Sequence, residues 1–339
     1  MIGIGLIGFG YWGTNLARNF NALDRCRLVA ICEKKKAQAS RAAQLYPGSN
    51  ITEDYDDLLN NKDIHAIVIA TPVSTHFDLA KEALSSGKDV LVEKPLAKTS
   101  SEAEELISTA EKNGRILAVD HTFLYTGAVR KMKEIIDSNE LGQIIYIDSV
   151  RVNLGLFQPD INVIYDLAPH DLSIVCHLLD RDPVSVQSIG TTHTGKNFAY
   201  LAYLHLEYAD GVIAHFHFNW LSPIKIRRTL IAGTNKMIVY DDMEPSEKVK
   251  IYDKGIEIKE GEIDSIYKIY VDYRTGDTVA PKLDTKEALA LEAEHFVSCV
   301  ENRTTPLTDG KSGLKVVRII EAAQISINNK GARIEMDRI

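Results

Sequence analysis

The sequence predicts an α/β protein: an N-terminal Rossmann domain built on a doubly wound parallel sheet, then a C-terminal α+β domain with an open, mainly antiparallel sheet. Three observations carry this. An apolar run at 2–7 ends in Gly8-x-Gly10-x-x-Gly13 and leads into a helix-spaced pattern of Leu16, Ala17 and Phe20. Apolar runs then alternate with helical stretches to about residue 120, as in a parallel sheet covered on both faces. After Gly142 the period changes to two, in the runs 200–208 and 212–220 that flank a turn at Asp210-Gly211. The expected division is 1–121 for the dinucleotide domain and 122–339 for substrate binding and oligomerisation.

The elements follow in order. In a strand–turn–helix that binds a dinucleotide, Gly8 permits the tight turn, Gly10 admits the pyrophosphate, and Gly13 lets helix and strand pack closely. Tyr11 and Trp12 sit where the positive end of the helix meets the phosphates. Strand two, 28–32, ends at Glu33, 20 residues after Gly13, where an acid accepts hydrogen bonds from the adenosine ribose. A helix runs to Leu45 and stops at Pro47-Gly48, and a short helix is expected at 54–59. The strand 65–70 ends at Thr71-Pro72, after which Ser74 caps a helix that Gly87 ends. Strand 89–92 stops at Glu93-Lys94-Pro95. A helix from Ser100 or Ser101 leads to a last strand at 116–119, followed by Asp120-His121. Ligands of such sheets bind beyond the carboxyl ends of the strands. Thr71, Glu93, Lys94 and Asp120 share that edge, and His76 is placed to line the cleft.

A crossover helix (Val129, Met132, Ile135, Ile136) then precedes a strand at 144–152. Gly233-Thr-Asn235 and Asp253-Lys-Gly255 read as turns between later strands, and helices are expected at 171–179, 286–300 and 313–327. An open antiparallel sheet leaves one face for a neighbouring subunit, so a homodimer or homotetramer is expected.

Composition narrows the function. At 339 residues with 45% hydrophobic and 25% charged content, the chain is ordinary for a soluble globular protein. A net charge of −8, with Lys34-Lys35-Lys36 the one basic run, argues against nucleic acid or an acidic membrane surface. No apolar run approaches the roughly 20 residues that span a bilayer, and a first strand at residue 2 leaves no room for a signal peptide. Cys26, Cys32, Cys176 and Cys299 lack metal-like spacing and fit reduced thiols, so a cytoplasmic location is expected.

Two constellations carry chemistry. Lys94 follows a buried strand and precedes a proline; a partly desolvated lysine there suits a proton-sharing role at an alcohol oxygen, against the plain alternative of a loop lysine. In Tyr165-Asp166-Leu-Ala-Pro-His170, Asp166 and His170 are four apart, so a helical turn faces them the same way. A carboxylate beside an imidazole orients a general base, whereas the plain reading makes Asp166 and Asp171 helix caps. His205, His215 and His217 share a hairpin face, but with no clear fourth ligand no metal is expected.

In Gly8-Phe-Gly-Tyr-Trp-Gly13, Ala70-Thr-Pro-Val-Ser-Thr-His76, Glu93-Lys94-Pro95 and Asp166-x-x-x-His170, the whole chain resembles the Gfo/Idh/MocA oxidoreductases. The resemblance implies a nicotinamide cofactor, a sugar or polyol substrate, and roles for Lys94 and His170 at the substrate hydroxyl with Asp166 in support. The arginines that many members carry after the sixth strand are replaced by His121-Thr122-Phe123-Leu124-Tyr125, and the familiar Gly-Gly before the aspartate by Asn162-Val-Ile-Tyr165. That variant resembles the nucleotide-sugar branch, implying oxidation of the 3-hydroxyl of a sugar such as UDP-N-acetylglucosamine. Thr122 is then expected at the cofactor, and Tyr125, Arg151, Asn153 and Tyr165 at the substrate. Glu33 repels a 2′-phosphate, which favours NAD, while Lys34 keeps NADP as the lesser alternative. The alternatives are a keto-sugar reductase, a free polyol or inositol dehydrogenase, and a non-catalytic dinucleotide-binding regulator.

Overall fold

A computed structural model describes residues 1–155, 161–192, 198–259 and 270–339. The order begins β1 (Ile2–Ile7), α1 (Tyr11–Asn21), β2 (Cys26–Cys32), α2 (Lys36–Leu45), β3 (Asn50–Thr52), α3 (Asp56–Leu59) and β4 (Ala66–Ile69). It continues with α4 (His76–Ser85), β5 (Asp89–Glu93), α5 (Ser100–Lys112), β6 (Leu117–Asp120), α6 (Gly127–Asp137), β7 (Ile144–Leu154) and α7 (Val163–Leu179). Then come β8 (Ser185–Thr191), β9 (Leu201–Glu207), β10 (Ile213–Asn219), β11 (Leu221–Gly233), β12 (Met237–Asp241), β13 (Val249–Lys259) and β14 (Tyr270–Val279). Helices α8 (Ala288–Asn302) and α9 (Gly310–Asn328) and the short β15 (Ile334–Glu335) close the chain.

Two compact units result. One is Met1–Thr126 with Lys286–Glu321, the other Gly127–Thr285 with Ala322–Ile339. This differs from the contiguous 1–121 and 122–339 expected from sequence, because the chain returns to its first unit through α8. The cause is apolar burial: Leu289, Phe296 and Val297 of α8 share a core with Ile4, Leu6, Leu16 and Phe20, and Phe20 meets Phe296 edge to face at 6.2 Å.

In the first unit the sheet order is β3-β2-β1-β4-β5-β6, every neighbour pair parallel. The order reverses at β1, so the crevice for a ligand opens beside the β1 and β4 carboxyl ends. Strands β4 and β5 are buried at every position, as a sheet covered on both faces requires.

The second unit holds a sheet ordered β14-β13-β12-β11-β7-β10-β9-β8-β15 among the described residues. It is antiparallel except for β7 beside β10. The turn expected at Asp253-Lys-Gly255 is instead strand: β13 runs through it, with an irregularity in register between Tyr252 and Lys254, and a glycine in such a run marks a bulge rather than a reversal. The Asp210-Gly211 turn holds, with Gly211 at φ 85°, and it sets His205 opposite His215. Tyr203 stacks on His217 at 4.5 Å. No described helix is long and apolar enough to cross a membrane.

Candidate active site

Each unit carries its own set of candidate groups. In the first, Gly8 adopts φ +85°, and a Cβ there would press on the Ala70 carbonyl. A Cβ on Gly13 would collide with the Gly8 carbonyl, whereas Gly10 faces open space. No side chain caps the start of α1, so its first N–H groups are left for a ligand. This cradle fits a dinucleotide pyrophosphate, with Tyr11 exposed and Trp12 packed edge to face against it at 5.2 Å.

Glu33 does more than its spacing predicted. It is nearly buried; one carboxylate oxygen accepts from the Phe9 N–H at 2.6 Å and the other from the Lys35 N–H at 2.8 Å. The carboxylate thereby braces the glycine turn and keeps a second lone pair on each oxygen for ribose hydroxyls.

After β4, the Thr71 hydroxyl meets that of Thr75 at 2.7 Å. His76 does not line the cleft, as the sequence suggested. It is 1% exposed, and its ring nitrogens lie 2.9 Å from the Pro95 and Thr71 carbonyl oxygens. Burial lowers its pKa. As a neutral imidazole it donates its one N–H to one of these carbonyls, so His76 packs between the loops after β4 and β5 rather than touching a ligand.

At the β5 and β6 ends, Lys94 is half-buried and its backbone N–H donates to Glu93 Oε2 at 3.2 Å. Thr122 is half-buried on the 3-10 turn Thr122–Tyr125. Tyr125, expected at the substrate, is instead interior: its ring packs against His295 and its hydroxyl faces Thr308 at 3.4 Å. The sequence reading missed Glu292 of α8, which lies in the interior at the same strand ends, beside Asp120. The available signal was a glutamate on the apolar stripe of Leu289, Ala293 and Phe296.

In the second unit, α7 begins at Val163, ahead of the expected 171, because the Asn162 side chain accepts from the N–H groups of Ile164 and Tyr165 at 3.0 and 3.1 Å. Asp166 and His170 therefore occupy one helix, and both are half-buried, as is Tyr165. The indole of Trp220 donates to Asp166 Oδ2 at 3.0 Å, fixing the carboxylate in a way the sequence did not signal.

Arg151 is corrected. Its guanidinium is buried against the Asp171 carboxylate, which also accepts from the Ser149 hydroxyl at 3.2 Å. This interior pair ties β7 to α7, so Arg151 is committed to the fold and not to a sugar or pyrophosphate. Asp171 likewise caps nothing; it lies mid-helix. Asn153, two residues along β7, is half-buried.

Comparison with known proteins identifies the family. The model of the GFO_IDH_MocA oxidoreductase family, NAD-binding Rossmann fold, matches residues 2–121, and that of the GFO/IDH/MocA C-terminal domain matches 129–239. Inositol 2-dehydrogenase of Salmonella typhimurium is 30% identical over 192 residues, 55% of this chain and 56% of its own length. The match thus spans little more than half of that relative. UDP-N-acetylglucosamine 3-dehydrogenase of Acidithiobacillus ferrooxidans is 26% identical over 328 residues, 95% of this chain and 96% of the relative. A solved structure of that enzyme superposes with a TM-score of 0.81 at 24% identity, covering 97% of this chain and 98% of that one.

Proposed function

Because this chain belongs to the Gfo/Idh/MocA oxidoreductase family, we propose that it oxidises a secondary hydroxyl, at C3, of a nucleotide-linked sugar such as UDP-N-acetylglucosamine, with NAD as oxidant. The observation that carries the substrate class is the match to a UDP-N-acetylglucosamine 3-dehydrogenase along 95% of the chain, where the inositol 2-dehydrogenase match covers 55%. The missing arginines at 121–125 point the same way.

Oxidising a carbinol removes a hydride and a proton; bound NAD supplies the hydride acceptor, and the protein handles the proton. The turn Gly8–Gly13 with Tyr11 and Trp12 holds the pyrophosphate, Glu33 the adenosine ribose, and Thr71, Glu93, Lys94 and Thr122 the remainder. His170 takes the hydroxyl proton, since an imidazole titrates near neutral pH. Asp166, held by Trp220, orients His170. Lys94 presents an ammonium that stabilises the negative charge growing on the oxygen as the proton departs. Tyr165 and Asn153 are the proposed sugar contacts that the buried state of Arg151 and Tyr125 leaves in place. A homo-oligomer built through the outer face of the second unit's sheet, where Ile189, Tyr203 and Ile213 are exposed, completes the reading; light scattering tests it.

The second reading, a free polyol or inositol dehydrogenase, draws on the 30% identity to inositol 2-dehydrogenase. Thermal shift with NAD present separates them: a rise in Tm with UDP-N-acetylglucosamine and none with myo-inositol supports the nucleotide sugar. NADH formation, read by its near-ultraviolet absorbance, separates both from a non-catalytic regulator.

A further inference from the structure

Three carboxyl groups lie buried together at the β5 and β6 ends of the first unit, and two of them, Glu93 and Asp120, feel the Lys94 ammonium. Glu93 ends β5, Asp120 ends β6 and Glu292 comes from α8; they are 7%, 3% and 1% exposed. Strand register pairs Glu93 with Asp120, and Asp120 is within hydrogen-bonding reach of the Glu93 and Glu292 side chains. As ionised acceptors, Glu93 Oε1 and both Glu292 oxygens lack a donor at full hydrogen-bond geometry; the Thr122 hydroxyl lies near Glu292 and favours its charged form, but this is the weakest of the influences on it. Three negative charges at one dry point would repel strongly, and unmet lone pairs there are costly. Protonation removes both problems: each glutamic acid becomes a donor, and Asp120 accepts from both.

We propose that Glu93, Asp120 and Glu292 form a proton-sharing array that holds two protons and one negative charge, and that Asp120 and Glu292 act through it as positioning residues for Lys94. The array's single charge matches the single ammonium. This role for Lys94 rests on the dehydrogenase reading above; the array itself does not.

The surroundings agree. Burial first, then Asp120, raises Glu93 and Glu292 well above the usual carboxylate range. Burial also raises Asp120, but the hydrogen bonds from Glu292 and Glu93 oppose that rise, as does the Thr122 N–H. His121 is 2% exposed with neither ring nitrogen partnered by protein. Burial, aided by Lys94, pushes it down to about 3, so it adds no competing cation. Burial, then the charge of Glu292, keeps the Tyr125 phenol protonated.

The test uses the whole protein. Infrared spectra at neutral pH are expected to show the carbonyl band of protonated carboxylic acid, reduced by about half in Glu292→Gln and lost in Glu93→Gln/Glu292→Gln, since coupled sites share their protons as a set. This measurement needs no substrate, so it stands even if the dehydrogenase reading fails. Under turnover, Asp120→Asn is expected to lower kcat roughly tenfold with little change in KM, and to displace the pH–rate profile toward acid by about one unit. Glu292→Leu is expected to lose rate and Glu292→Gln to recover most of it, because the amide still donates to Asp120. If Asp120→Asn does not fold, the Glu292 pair decides. A spectrum without the acid band overturns the array. With the band present, a wild-type kcat and pH profile in Asp120→Asn, or equal losses in the two Glu292 variants, overturns the positioning role.

Discussion

The Phe9 N–H donates to the Glu33 carboxylate at 2.6 Å, across 24 residues of chain. The acid expected to recognise ribose is thus also the acceptor that fixes the glycine turn. Glu33→Gln keeps one acceptor oxygen but loses the charge that opposes a 2′-phosphate. The expected outcome, read by calorimetric titration with both dinucleotides, is weaker NAD binding and a preference for NAD over NADP reduced about tenfold, or about 1.4 kcal/mol. An unchanged preference would leave Glu33 with the bracing role alone.

Gly10 and Gly13 separate binding from folding. Gly10 has φ −76° and open space around its Cβ position, so Gly10→Ala is expected to melt within about 2 °C of wild type. The added methyl would intrude where the pyrophosphate approaches and cost at least about tenfold in NAD affinity. Gly13→Ala drives a Cβ into the Gly8 carbonyl and is expected to lose about 1–3 kcal/mol of stability before any ligand is added. Denaturant melts of both variants, with and without NAD, check the contrast.

Arg151→Met leaves Asp171 as a buried, unmatched charge. Removing one partner of such a pair costs about 3–5 kcal/mol, while replacing both with apolar groups is often neutral. Arg151→Met is therefore expected to unfold far more readily, and Arg151→Met/Asp171→Leu to recover much of the loss. If the single variant kept its stability and instead raised KM for the sugar, the interior assignment would fall and the substrate role would return.

What could be read from the sequence was local. Glycine sterics at 8, 10 and 13, the distance to Glu33 and the change of period after Gly142 are all set within short stretches, and the fold follows them. What could not be read depends on partners far apart in the chain. Arg151 looks like any strand arginine until Asp171 is seen beside it. Glu292 carries no motif, and its neighbours Glu93 and Asp120 are more than 170 residues upstream. The early start of α7 is the exception, a local signal passed over, since Asn162 caps the N–H groups two and three residues on; Asp253-Lys-Gly255 has turn composition but strand surroundings. Except at that cap, tertiary context overrode propensity.

The proposal that Lys94 and His170 serve one hydroxyl has a quantitative consequence. Each alanine substitution is expected to lower kcat by ~100-fold or more while cofactor still binds, the usual scale for a positioned proton-handling group. Groups that serve one transition state are not additive. Lys94→Ala/His170→Ala is thus expected to be little slower than the worse single variant. A double variant slowed by the product of the two single effects would mean that the residues act independently.

The buried acids make stability fall with pH. Below about 4.3, the ordinary glutamate value, Glu292 is protonated in both the folded and unfolded chains and contributes no slope. Above it the unfolded chain releases the proton, while the folded chain, whose Glu292 value is raised by burial and by Asp120, retains it. The folded state then binds more protons than the unfolded one, so unfolding becomes steadily easier until pH reaches the raised value, above which the slope ends. Glu292→Gln removes this term without removing the donor. Its Tm relative to wild type is therefore expected to climb between pH 5 and pH 8, by about 1–2 °C for each kcal/mol relieved. A Tm difference that stays flat across that window would mean that Glu292 ionises in the folded protein as readily as in the unfolded chain.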